Sequence, residues 1–83
     1  MKAQTSTEIE LNQATKRIDE LTETATELRS RFQGFLKGFI DGSTPLDELR
    51  AQQSELMSIE DCIELLKVRQ NELHIAYQME SLF

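Results

Sequence analysis

The hydrophobic residues of this chain fall into two long stripes, and each has the spacing of a buried helix face. In the first stripe, apolar side chains recur at alternating steps of three and four. This period is typical of a helix that packs a narrow seam against another helix. It predicts a first helix over about residues 7–41, with Thr5, Ser6 or Thr7 as its N-cap. The stripe consists of Leu11, Ala14, Ile18, Leu21, Ala25, Leu28, Phe32, Phe35 and Phe39.

A cluster of helix-breaking residues follows the first stripe. Gly42 suits the position just after a helix, and Thr44 suits an N-cap. Pro45 suits the first position of a new helix, because the amide hydrogen that it lacks would have no partner there. The cluster predicts a turn over about residues 42–44 and a second helix over about residues 45–80.

The second helix carries a stripe of the same period. It consists of Leu49, Gln52, Leu56, Ile59, Ile63, Leu66, Gln70, Leu73 and Tyr77. Because the turn is short, the two helices are expected to run antiparallel, with the stripes facing each other. The sequence therefore predicts an all-α fold, an antiparallel two-helix coiled-coil hairpin, with residues 1–83 as a single domain.

Charged residues beside the seam give a further prediction from the same alignment. Arg29 falls near Glu60 and Arg31 falls near Glu55, and both pairs are favourable. Arg17 falls near Arg69, which is unfavourable, although exposed pairs of charges contribute only about 0.2–1 kcal/mol. We therefore expect ion pairs between the helices at the first two sites and a conflict at the third.

The second helix has a further apolar row on the side away from the seam, which we call the outer stripe. Its members are Leu65, Val68, Ile75, Met79 and Leu82. Glu72 is the one interruption, and the first helix has no matching row. A helix that is apolar on two sides needs two neighbours. The second neighbour is either another copy of the hairpin or a helix of another protein; a homodimer through this stripe would form a four-helix bundle.

A secondary contact patch is predicted near the turn. Phe32, Phe35 and Phe39 lie on the seam, so we expect them to pack inside the hairpin. Leu36 and Ile40 point away from the seam, and we call this pair the turn patch. The sequence thus offers two surfaces for partners, the outer stripe and the turn patch.

Charge limits the kinds of partner that the chain is expected to bind. The 83 residues carry a formal net charge of -6, with 39% hydrophobic residues. An acidic surface repels phosphate groups, so neither nucleic acid nor an anionic membrane is an expected partner. No run of apolar residues at the N-terminus has the length of a signal peptide, which predicts a cytoplasmic protein.

The residue types needed for catalysis are scarce. Cys62 is the one cysteine and His74 the one histidine. Twelve residues along one straight helix separate them by about 18 Å, which is too far for a catalytic pair. We expect Cys62 to be a small packing residue beside the seam. No enzymatic activity, metal, cofactor or small-molecule substrate is predicted.

The predicted function is a non-enzymatic protein–protein interaction module, of the small-adaptor or assembly-chaperone type, that acts through the outer stripe. One alternative is a structural subunit that assembles with itself through the same helix. Another is an acidic inhibitor that mimics nucleic acid through Glu60, Asp61 and Glu64. These three carboxylates are also explained as a solvated face of the second helix.

Overall fold

Two α-helices of equal length form the hairpin. The computed structural model describes residues 5–82, in which α1 spans Ser6–Asp41 and α2 spans Leu46–Ser81. Each helix has 36 residues, and the rod measures 62 × 21 × 13 Å. The all-α, two-helix fold predicted from the stripes is confirmed.

The hydrophobic core is a single layer between the helices. Its buried side chains are Ala14, Ile18, Ala25, Leu28, Leu56, Ile63 and Leu73. All seven belong to the two predicted stripes. Ala25 is fully covered at the centre, where Leu21, Phe32 and Ile59 pack against the buried cluster. The seam is therefore the core of this fold.

The predicted packing of Phe39 is wrong, because 42% of this residue is exposed. Phe39 is the last member of the α1 stripe and lies next to the turn. A side chain in the middle of the seam has neighbours above and below, whereas one at the end has them on one side. Phe32 and Phe35, further from the turn, are half-buried as expected.

The first helix begins one residue earlier than predicted. Thr5 is its N-cap, and the Thr5 hydroxyl accepts a hydrogen bond from the Glu8 amide at 3.1 Å. This bond satisfies one of the amides that a helix leaves unpaired at its start. Thr5 is one of the three predicted caps; Thr7, another of them, instead donates its hydroxyl hydrogen to Glu80 at 2.6 Å. Thr7 therefore joins the helix ends rather than capping α1.

The turn closes through backbone hydrogen bonds around a left-handed glycine. Gly42 has φ 88°, a conformation that side chains disfavour. The Ser43 amide donates to the Gly38 carbonyl at 2.8 Å, and the Gly42 amide donates to the Phe39 carbonyl at 3.3 Å. This pair of bonds is the Schellman motif, and it confirms the expected role of Gly42.

The side chain of Asp41 tightens the turn. Its carboxylate accepts hydrogen bonds from the Ser43 hydroxyl at 2.6 Å and the Ser43 amide at 2.9 Å. Both bonds favour the ionised form, so they hold the pKa of Asp41 below its ordinary value. A charge at the surface thus supports the local backbone conformation.

The second helix begins without a side-chain cap, so the predicted capping role of Thr44 is wrong. Pro45 is the N-cap residue, and no side-chain hydrogen bond is made there. The Thr44 amide instead donates to the Gly38 carbonyl at 3.0 Å, and its side chain lies against Gly38. Asp47 and Glu48 supply the negative charge that a first helical turn favours.

The charge predictions beside the seam have mixed outcomes. Arg29 and Glu60 form the expected ion pair between the helices, at 3.4 Å. The other expected pair, Arg31 with Glu55, is not among the ion pairs of residues 5–82. Arg17 binds Glu20 of its own helix at 3.0 Å, while Arg69 binds other carboxylates. The predicted conflict between the two arginines is therefore relieved by acidic neighbours.

Candidate interaction surface

The outer stripe lies on the face of α2 opposite α1. Its five side chains are 53% to 78% exposed. Along the same stretch of α2, Ile63 and Leu73 point the other way and are buried in the seam. Nothing in the described hairpin covers the outer stripe, since its helix already uses its opposite face for the core.

The charged residue within the outer stripe has a partner in its own chain. Glu72 accepts a hydrogen bond from Arg69 at 3.3 Å. Arg69 also donates to Glu10 of α1 at 2.7 Å, the shorter of the two contacts. Hydrogen bonds to Glu10 and then Glu72, together with their negative charges, raise the pKa of Arg69. The charge that interrupts the stripe is thus offset before any partner binds.

Net charge divides α2 into two unlike halves. The half next to the turn, residues 46–64, contains one arginine and six carboxylates, a net charge of -5. The other half, residues 65–82, contains two basic and two acidic side chains and has no net charge. The outer stripe lies entirely in the neutral half. An apolar surface there can approach another molecule without placing a large net charge of one sign beside it.

Polar side chains of α1 and α2 meet where the two helix ends lie together. The Thr7 hydroxyl of α1 donates to the Glu80 carboxylate of α2. Hydrogen bonding to the Glu8 carboxylate raises the pKa of Tyr77, and the negative charges of Glu8 and Glu80 act in the same direction. These side chains of α1 therefore lie next to the segment of α2 that carries the outer stripe.

The two residues of the turn patch differ in their exposure to water. Ile40 is 84% exposed, whereas Leu36 is half-buried. Phe39 and Leu46, at the same end of the hairpin, are exposed as well. Sequence reasoning missed Leu46 and also Met57. Met57 has polar residues three and four positions away on both sides, and the apolar neighbour of Leu46, Leu49, belongs to the seam. The turn end therefore has a small apolar surface, separate from the outer stripe.

Polar candidate residues on α2 are dispersed. Cys62 is exposed, so its predicted packing role is wrong. It flanks the seam of a two-helix rod, and α1 does not reach far enough around α2 to cover it.

Among residues 5–82, no three His, Cys, Asp or Glu side chains are grouped so that they could hold a metal ion. Within that same range, neither helix is long and apolar enough to cross a membrane.

A shallow polar groove runs along one side of the hairpin. Its volume is about 380 Å³, and it contains the ion pair between Arg29 and Glu60. Asp61, Glu64 and Lys67 also line it. Charges of both signs line this open groove, which offers no apolar enclosure of the kind that binds small molecules.

Comparison with protein-family models, with curated proteins and with solved structures found no match to this chain. The function of the outer stripe is therefore inferred from its exposure, its charge and its contacts. Those three properties distinguish it from the rest of the described surface.

Proposed function

We propose that this protein is a non-enzymatic protein–protein interaction module, of the small-adaptor or assembly-chaperone type, that binds through the outer stripe. The observation that supports the proposal is the exposure of five large apolar side chains at helical spacing on one face of α2. Contiguous apolar patches on a protein surface mark sites where another molecule binds. A helix laid along α2 would remove all five side chains from water.

The partner is either a second copy of this chain or an amphipathic helix of another protein. Helices bind apolar surfaces through side chains spaced three and four residues apart, which is the spacing of the outer stripe. With a second copy, two helices from each chain would meet as a four-helix bundle. A client helix would bind the same side chains and would compete with that pairing.

Polar residues border the outer stripe as they border known interfaces. Lys67, Asn71 and Gln78 are exposed beside it. Protein interfaces commonly have an apolar centre surrounded by a polar rim that remains in contact with water. The net charge of -6 opposes contact with phosphate groups. We therefore propose a protein partner rather than nucleic acid or an anionic membrane.

Replacing Val68→Glu together with Ile75→Glu tests this proposal. Both residues lie in the middle of the outer stripe, and burying two unpaired carboxylates is unfavourable. We expect the wild-type chain to self-associate or to capture a helical partner, and the double variant to lose at least tenfold in affinity. Multi-angle light scattering measures self-association, and a pull-down measures capture of a partner.

Gln13→Glu with Ser30→Glu is the matched control. Both residues are exposed on α1, and the pair adds the same charge without altering the outer stripe. Circular dichroism should show equal helicity in both double variants. Unchanged mass and unchanged capture in the stripe variant would contradict the proposal. A mass that keeps rising with concentration would favour the self-assembling structural subunit.

A further inference from the structure

The outer stripe indicates the orientation of a partner helix as well as the place where it binds. We propose that a second copy of this chain covers it, with the two α2 helices antiparallel and overlapping only along residues 65–82. This inference rests on the proposed function, since it assumes that the outer stripe is an interface. It adds the identity of the partner and the shape of the assembly.

The outer stripe is complementary to itself when one copy is reversed. Its midpoint falls between residues 73 and 74, and residues equally distant from that midpoint face each other. The facing pairs are Leu65 with Leu82, Val68 with Met79, and Ile75 with Glu72. Four of the five apolar side chains thus meet an apolar partner. The fifth, Ile75, meets the aliphatic part of the glutamate side chain.

The edges of the stripe also meet without conflict in this arrangement. Asn71 falls beside Gln78 of the second copy, and Arg69 falls beside Ala76. The two Glu72 carboxylates lie on either side of the two-fold axis, and each is held by its own Arg69 at 3.3 Å. The intrachain ion pair therefore offsets the only acidic charge near the centre of the interface.

The charge of the other half of α2 disfavours a parallel pairing. Parallel helices would align residues 46–64 of both copies, so that two segments of net charge -5 would run side by side. Like charges placed together across an interface oppose association. In the antiparallel arrangement these segments point in opposite directions, and the overlapping segments are neutral. The separation of charge along α2 thus selects the antiparallel partner.

The resulting dimer is elongated and has four helices only in its middle. The 18 overlapping residues span about 27 Å. Two rods of 62 Å that share this overlap give a particle about 95 Å long. The two turns lie at its opposite ends, so each Ile40 remains exposed far from the other. Such a dimer would connect two partners, one at each turn patch.

The single cysteine provides a direct measurement of this arrangement. Cys62 is exposed and lies outside the overlap, so a spin label attached there leaves the stripe intact. In the antiparallel dimer, 23 helical positions separate the two labels along the axis, or about 35 Å. In a parallel dimer they would lie side by side, less than about 20 Å apart. Pulsed electron spin resonance distinguishes the two distances, after light scattering has established the mass.

Each outcome bears on a different part of the inference. A dimer with a distance near 35 Å, lost in the Val68→Glu and Ile75→Glu variant, supports it. A dimer with a short distance, or one that forms a Cys62 disulfide on oxidation, overturns the antiparallel direction and leaves the interface standing. A dimer unaffected by the double variant overturns the proposed function as well. A chain that stays monomeric overturns the pairing of two copies, and the pull-down then decides whether another protein's helix binds.

Discussion

The two ends of the hairpin are held by different kinds of interaction. At the turn, the backbone itself supplies the closure, through Gly42 in a left-handed conformation and amides bonded to the Gly38 carbonyl. At the open end, side chains supply it, as in the bond from Thr7 to Glu80. Exposed side-chain contacts contribute little individually. Backbone hydrogen bonds therefore hold the turn closed, whereas closure of the open end depends on the side chains that pack around it.

The two halves of α2 also differ, in the net charge and the apolar residues of their surfaces. Residues 46–64 carry a net charge of -5 and are well suited to contact with water. Residues 65–82 are neutral and expose the outer stripe. The seam has buried leucines in both halves, Leu56 in one and Leu73 in the other. Packing within the hairpin therefore does not explain why only one half is apolar on its outer side. This difference is why we place function at the open end.

The largest expected effect comes from truncating matched leucines of α2. Leu56 is 8% exposed and Leu65 is 71% exposed. We expect Leu56→Ala to cost about 2–4 kcal/mol in the free energy of unfolding, since it opens a cavity in the core. Leu65→Ala should cost less than about 0.5 kcal/mol for the dilute monomer. Urea unfolding followed by circular dichroism measures both. Equal losses would show that the outer stripe is covered within one chain.

Two glycines of α1 give the next largest contrast. A Cβ on Gly34 would have no side chain or turn within 4 Å, so Gly34→Ala should stabilise the hairpin by about 1 kcal/mol. A Cβ on Gly38 would collide with the Thr44 hydroxyl and lie 3.2 Å from that of Ser43. Gly38→Ala should therefore destabilise the turn by about 1–3 kcal/mol. Thermal unfolding gives both values, and stabilisation by both variants would contradict the close packing of this turn.

The smallest effect is a dependence on pH with opposite signs at the two ends. The lowered pKa of Asp41 stabilises the fold above the unfolded value of about 3.9, and this contribution is lost as the pH falls through the folded pKa. The raised pKa of Tyr77 contributes below about pH 10 and is lost as the pH rises through the folded value. Thermal midpoints measured against pH test both. Asp41→Ala should flatten the acid side of the profile, and Tyr77→Phe the alkaline side. A variant that keeps the wild-type slope on its own side would rule out that group's contribution.

Periodicity predicts the helices and the seam because nearly all the buried side chains of a two-helix hairpin lie in that seam. It also predicts the exposure of the outer stripe, since residues opposite a single seam have nothing to pack on. The identity of the partner does not follow from the spacing, because any apolar helix face has the same period. The separation of charge between the halves of α2 bears on the direction of the proposed pairing, and light scattering decides whether the partner is a second copy.

Residues at the margins of the seam could not be placed from the sequence. Cys62 flanks the seam, and its exposure depends on how far around α2 the neighbouring helix extends. Arg69 has several carboxylates within reach, and its long side chain binds Glu10 and Glu72 rather than lying against Arg17. Thr44 has the sequence of a cap, but the closure of the turn brings it onto Gly38. In each case the position of a second element decides the outcome.

The tight turn also determines the order in which the hairpin folds. Near the turn, contacts join residues close in the chain, such as Thr44 with Gly38, whereas Thr7 meets Glu80 across 73 positions. The entropy lost on closing a loop grows with its length, so we expect the helices to pack together first near the turn and last at the open end. The segment with the outer stripe is then the last to form. A second chain that covers it would complete folding as it binds.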